Sequence, residues 1–142
     1  MKELTLKQAA EFCRGTLSPE QAEAVVTGAQ IDSRRVKPGD LFVAIKGEKA
    51  DGHDYIDMAA SRGASAALVA RPVKASIPTI LVPDTVRAYG DLAAACREQM
   101  GLTVIGITGS VGKTTTKEMT ACMLEHTYRT ARTEGNHNNN LG

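Results

Sequence analysis

The chain has no tryptophan, two phenylalanines and three tyrosines. So sparse an aromatic set leaves few platforms for base stacking, which argues against a single-strand nucleic-acid module. An excess of one charge is missing too: 17 basic residues stand against 16 acidic ones, for a formal net charge of +1. A nucleic-acid partner is therefore not expected. The three cysteines, Cys13, Cys96 and Cys122, are odd in number, far apart and set in helical patterns beside Phe, Ala or Met. Buried thiols in a reducing cytosol are the plain expectation. Neither a CxxC pair nor His-x-x-x-His spacing occurs, so zinc has no ligand set. No apolar run approaches membrane-spanning length, and residues 1–8 lack the apolar core of a signal peptide. A soluble, cytoplasmic protein is expected, with no membrane partner and no disulfide framework.

What is present fits a globular α/β chain. At 142 residues and 42% hydrophobic content it can bury one good core, or one small domain and the beginning of another. Thr5 is placed to cap a helix over residues 6–13 that shows Leu6, Ala9, Ala10 and Cys13 on one face, with Gly15 as the stop. Residues 24–31 have strand character interrupted by Gly28. Residues 41–45 are apolar throughout, as in a strand buried on both faces. A helix over 54–62, strands over 66–70 and 79–82, and a long helix from Asp84 or Thr85 to Met100 follow. A second unit then begins, with expected strands at 103–107 and 128–131 around a helix from Lys113 to His126. The expected architecture is a small mixed α/β domain over residues 1–83, followed by the truncated start of a parallel α/β ATPase domain over 84–142.

Residues 103–116 carry the densest chemistry. A β-branched stretch runs into a glycine turn, then Lys113-Thr114, then a helix. Gly109 and Gly112 allow backbone conformations closed to other residues, so the N–H groups of Gly109, Ser110, Val111, Gly112 and Thr115 can approach phosphate oxygens, while the helix N-terminus adds its dipole. Lys113 supplies a full charge to the β- and γ-phosphates of ATP, and the Thr114 hydroxyl suits Mg²⁺, which prefers hard oxygen ligands. The strict P-loop pattern fails once, with Ile107 where the first glycine belongs. A bare glycine-rich turn in an ordinary α/β fold is the competing account. The preceding strand, the following helix and the threonine run at 114–116 favour phosphate.

A second cluster lies around residues 31–53. Ser33 and Arg34 have the donors to hold a diphosphate or a pyrimidine edge, and Lys46, Gly47, Asp51, Gly52 and His53 would line the opposite rim of the apolar strand. On composition alone the blander account is preferred: Asp32 caps a turn, the arginines are a solvated face, and His53 is a loop residue bonded to backbone. The polar run at 135–140 has two readings of equal standing. Asn136, Asn138 and Asn139 face a γ-phosphate or an acceptor substrate, or they form a surface turn.

Taken in order, Asp32-Ser33-Arg34, residues 38–44, Asp51-Gly52-His53, residues 108–115 and Gly135-Asn136-His137-Asn138-Asn139 resemble the Mur ligase family over nearly the whole chain. That family's P-loop also lacks the first glycine. The resemblance implies a first domain that grips the UDP end of a nucleotide-linked muramoyl peptide, and a central domain that binds ATP and Mg²⁺. Lys113 would be the catalytic cation and Thr114 the metal ligand. Within the family, Lys117-Glu118-Met119 and the Asn-rich loop are similar to the member that joins D-alanyl-D-alanine to UDP-N-acetylmuramoyl-tripeptide through an acyl phosphate, working as a monomer. The sister that adds the third amino acid usually has Asn where Val111 stands. On this reading the remaining metal ligands, the adenine contacts and the acceptor domain lie beyond Gly142. A non-catalytic nucleotide-binding module and a P-loop hydrolase remain as alternatives.

Overall fold

A computed structural model describes residues 3–17, 21–48 and 50–133. The chain divides into two compact units, Met1–Met100 and Gly101–Gly142.

The first unit opens with β1 (Leu4–Thr5), which pairs antiparallel with β2 (Val25–Val26). Thr5 ends β1 and caps α1 (Leu6–Cys13) with a full capping box. Its hydroxyl accepts from the Gln8 N–H at 3.2 Å, and the Gln8 side chain accepts from the Thr5 N–H at 3.0 Å. The helix ends differently from the expectation. Arg14, not Gly15, takes the left-handed conformation at φ 53°, and Gly15 is needed for closeness instead. A Cβ at Gly15 would lie 2.5 Å from Ile80 Cγ2 and 2.8 Å from Val82 Cγ1.

Four parallel strands form the main sheet in the order β3 (Gly28–Gln30), β4 (Asp40–Val43), β5 (Ala66–Val69) and β6 (Thr79–Leu81). The single interrupted strand expected over 24–31 is thus two strands in two sheets, with Thr27 between them bonding the Gly39 carbonyl at 2.9 Å. Because side chains alternate across a strand, β4 sends Leu41 and Val43 to one face and Phe42 to the other. The first face packs on α1 and on α3 (Thr85–Met100), through Leu6, Cys13, Ala88 and Leu92. The second packs on α2 (Ile56–Ser61), through Ile56 and Ala59, with Val36 and Ala64 beside them. A sheet covered on both sides accounts for the unbroken apolar run in β4. Fully burying Phe42 alone is worth about 2–3 kcal/mol. The outer edge of β6 is closed by Thr16, which exchanges two backbone bonds with Leu81 at 2.8 and 2.9 Å.

The helix α3 belongs to this first unit, so the boundary expected after residue 83 is displaced to residue 100. Asp84 caps it as expected, accepting from the N–H groups of Val86 and Arg87 at 2.8 and 3.1 Å. Its apolar face then lies on α1, where the Cys13 thiol donates to the Ala88 carbonyl at 3.5 Å. A charged turn ahead of a helix looks like a linker in sequence. Packing, rather than local pattern, assigns the helix to its unit.

In the second unit the regular element among the described residues is α4 (Lys113–Glu125). The strands expected at 103–107 and 128–131 do not form there. Strands exist by pairing, and Val104 and Ile105 are 63% and 56% exposed, with no neighbouring strand among the described residues. On α4, Met119 and Met123 are exposed and Ala121 is buried; Cys122 is exposed as well, so the buried thiol expected of all three cysteines holds for Cys13 and Cys96 and not for Cys122.

Candidate functional site

The parallel sheet brings the residues of the first unit together in a way the linear sequence does not show. In β3 and β4, Gln30 is level with Phe42, so the Asp32-Ser33-Arg34 segment leaves β3 at the same edge where Lys46 to His53 leave β4. The two segments therefore share the carboxyl edge of the sheet. They do not sit at opposite ends of β4, as the order along the chain suggested. That edge is where open α/β sheets bind ligands, because the loops diverge there.

Each residue on the edge is held by a specific bond. Asp32 accepts from the Arg34 side chain twice, at 2.9 Å from Nε and 2.8 Å from Nη2, and from its backbone N–H at 3.0 Å. These bonds hold the Asp32 carboxyl at about 2, below the usual carboxylate range, the side-chain bond from Arg34 being the largest cause. The pair leaves the Arg34 side chain 78% exposed, its guanidinium oriented by Asp32 and still open to an anion. Ser33 is buried, with its hydroxyl 3.4 Å from Met58 Sδ. Lys46 and Gly47 are exposed on a small hairpin, closed by a bridge between Lys46 and Asp51 and by the Gly47 N–H bonding the Ala50 carbonyl at 2.9 Å. Gly52 forms the base of this hairpin. Its N–H bonds the Ile45 carbonyl at 2.9 Å, and a Cβ would lie 2.6 Å from the Ile45 nitrogen.

His53 is buried and both its ring nitrogens are used. Nδ1 lies 2.5 Å from Asp51 Oδ1, and Nε2 accepts the Ala70 N–H at 3.0 Å. Acceptance at Nε2 places the ring proton on Nδ1, where it is donated to Asp51. No ring nitrogen is left for a ligand in this arrangement: the ring bonds the backbone, as the blander account of the sequence had it, and does not offer the direct contact that the family resemblance implied. Asp51 also accepts the His53 backbone N–H at 2.9 Å, and the two His53 bonds, the backbone one first, hold its carboxyl at about 2. Arg71, just beyond β5, meets the same carboxylate at 3.3 Å. Nothing in the sequence pattern singles out Arg71: it lies 20 residues away, and only the parallel pairing of β4 with β5 brings it to this edge.

In the second unit, Gly112 caps α4 at φ 76°, and Gly109 stands at φ 155°, both in the region that favours glycine. No atom comes within 4 Å of a Cβ placed at Gly112, so its glycine is required for conformation and not for space. Ser110 and Val111 lie in the turn between them, with Val111 exposed. Lys113 opens the helix and folds its Nζ back onto the Gly109 carbonyl at 2.6 Å, across the mouth of the turn. The first N–H groups of a helix have no partner within it, so those of Lys113, Thr114 and Thr115 point out of this end. The donor set fits a triphosphate. The exposed Thr114 fits one position on a hard cation, while no group of three or more acidic, His or Cys ligands occurs among the described residues. Asn136, Asn138 and Asn139 lie outside the described residues.

A parallel α/β unit with its loops gathered on one edge, followed along the chain by a glycine turn and a lysine at a helix start, defines an α/β protein with a phosphate-binding type of turn. The chain belongs to the Mur ligase family: the Mur ligase family catalytic domain matches residues 25–100, and the Mur ligase middle domain matches residues 107–142. Among its relatives, the UDP-N-acetylmuramoyl-tripeptide--D-alanyl-D-alanine ligase of Escherichia coli (strain K12) is 43% identical over 142 residues, an alignment covering 100% of this chain and 31% of that protein. The protein of the same name from Bacillus subtilis (strain 168) is 41% identical, covering 97% of this chain and 31% of its own length. The crystal structure of MurF from Acinetobacter baumannii matches 99% of this chain and 32% of that one, with TM-score 0.91 and 38% identity. MurF ligase from Thermotoga maritima, solved in complex with ADP, matches 78% of this chain and 26% of that one, with TM-score 0.68 and 40% identity. The chain thus spans about a third of the length of these relatives.

Proposed function

We propose that the chain supplies the nucleotide-gripping unit and the P-loop of an ATP-dependent ligase that joins D-alanyl-D-alanine to UDP-N-acetylmuramoyl-tripeptide. The observation that carries this reading is the Lys113 ammonium lying across a glycine turn at the N-terminus of α4. It is supported by the name shared by relatives aligned over the whole chain. ATP supplies a transferable phosphoryl group that activates the peptide's terminal carboxylate for attack by the dipeptide amine. Gly109, Ser110, Val111, Gly112 and Thr115 hold phosphate oxygens through their N–H groups, and Lys113 offsets the charge that develops on transfer. Thr114 Oγ1 would hold one position on Mg²⁺. At the carboxyl edge, Ser33, Arg34, Lys46, Gly47, Asp51 and Gly52 grip the uridine diphosphate end, with Arg34 as the anion contact. Asn136, Asn138 and Asn139 are assigned to the γ-phosphate or acceptor side. A nucleotide-linked substrate and ATP fit a cytoplasmic enzyme, which we take to work as a monomer.

The test uses the full-length protein, offered ATP and Mg²⁺ with either the muramoyl tripeptide and D-alanyl-D-alanine, or the muramoyl dipeptide and a diamino acid. The expected result is the pentapeptide product by mass in the first mixture alone, with ADP and phosphate released. Product only in the second mixture would move the reading to the sister ligase. AMP with pyrophosphate would overturn the acyl-phosphate route.

A further inference from the structure

We infer that His53 is a positioning residue: its buried ring clamps the exit loops of β4 and β5 together and so sets the direction of the Lys46–Asp51 hairpin toward the nucleotide. The inference rests on the proposed nucleotide-gripping role of the carboxyl edge and gives His53 a job other than the ligand contact that the family resemblance implied. Three observations converge on it. The ring spans two loops, with Nδ1 on Asp51 at 2.5 Å and Nε2 taking the Ala70 N–H at 3.0 Å. Ala70 lies one residue past the end of β5, so a side-chain acceptor takes the place of a ladder partner for this N–H. Asp51 closes the hairpin against Lys46 while also holding the His53 N–H and Arg71. One imidazole therefore ties the hairpin base, the β5 exit and the Arg71 guanidinium into a single network, and Gly52 between Asp51 and His53 is packed too tightly on Ile45 to let the base pivot.

A ligand contact and a clamp make different demands on the ring. A contact needs a free nitrogen facing solvent, whereas the clamp needs both nitrogens occupied and the proton fixed on Nδ1. Loss of the clamp should weaken the nucleotide end without slowing chemistry, because it loosens the loops and removes no group that meets reacting atoms.

The test is ¹⁵N NMR of the His53 ring and the Ala70 amide in the full-length protein, first alone and then with UDP added to saturation, together with steady-state kinetics of two variants. The clamp predicts a neutral ring with its proton on Nδ1, slow Ala70 amide exchange, and ring signals that stay in place as UDP binds. His53→Ala should speed Ala70 exchange at least tenfold and raise KM for the muramoyl nucleotide roughly tenfold, with kcat and KM for ATP within about threefold of wild type. His53→Gln offers an N–H and a carbonyl oxygen at similar spacing and should recover most of the loss. A ring whose Nε2 signal moves on saturation while the Ala70 amide is released would make His53 a direct contact and overturn the clamp. A mixed tautomer or fast Ala70 exchange before any ligand is added would also overturn it, and needs no variant to fold. Failure of the wild-type protein to bind UDP is a separate result: it removes the nucleotide reading, while the ring tautomer and Ala70 exchange still decide the clamp.

Discussion

Replacing Gly52 with alanine puts the carboxyl-edge geometry to a quantitative test. A Cβ at this position would lie 2.6 Å from the nitrogen of Ile45, 2.7 Å from its carbonyl oxygen and 3.0 Å from the carbonyl carbon of Ala44. All three are backbone atoms at the end of β4, so no side chain can rotate away, and the hairpin base must move instead. That movement stretches the Gly52 N–H bond to Ile45, now 2.9 Å. Overpacking of this kind costs about 1–3 kcal/mol and a weakened hydrogen bond about 1 kcal/mol. A total near 2–4 kcal/mol, at a urea slope of about 1.5 kcal/mol/M, lowers the unfolding midpoint by roughly 1.3–2.7 M. Gly90→Ala is the matched control. Gly90 lies within α3 with nothing within 4 Å of its missing Cβ, so alanine should raise the midpoint by up to about 0.7 M through helix propensity, worth up to about 1 kcal/mol. Urea titrations followed by far-ultraviolet circular dichroism, with alkylation of the buried Cys13 as a local reporter of the first unit, would measure both. A Gly52→Ala protein unfolding at the wild-type midpoint would refute the close approach and the rigid hairpin base argued from it.

Lys113→Ala in the full-length protein should lower ligase turnover on the order of a thousandfold with circular dichroism unchanged, and wild-type turnover would remove the assignment of Lys113. Burial, followed by Asp91 and Cys96, pushes the Cys13 thiol up to about 12, so a thiol reagent at pH 8 should label exposed Cys122 first and Cys13 only on unfolding. Because that folded value is raised, its contribution to stability is complete below pH 9 and is lost as pH rises from 9 towards 12; denaturation midpoints flat across that range would contradict it. The Asp51 carboxyl runs the other way: with its folded value lowered to about 2, its contribution is present above the ordinary carboxyl value of 3.8 and fades as pH falls to about 2. The stability gap between wild type and Asp51→Asn should therefore close across that interval. Asp84→Ala removes the α3 cap and should cost about 1 kcal/mol, read as a lower urea midpoint.

The local chemistry of the chain was settled by its order of residues. A threonine followed three residues later by glutamine makes a capping box wherever the next turn is helical, so α1 began where its sequence said. The P-loop is equally local: two glycines, a lysine and a helix start lie within five residues, and their spacing alone brings Lys113 back over the Gly109 carbonyl. Tertiary structure decided what depends on distant partners. Pairing of β3, β4 and β5 in parallel moved Ser33 and Arg34 to the same edge as Lys46 and His53 and brought in Arg71, a residue with no motif of its own. Packing on α1 drew α3 into the first unit, and the β-branched residues at 103–107 have no strand partner among the described residues. His53 shows the division most sharply. Its sequence pointed to a loop residue bonded to backbone, and the family resemblance alone pointed to a ligand contact; only the Ala70 N–H, 17 residues away, commits its second nitrogen, as the inferred clamp requires. Hydrogen bonds within a turn are set by a few neighbouring dihedrals, whereas those between strands wait for the chain to close on itself.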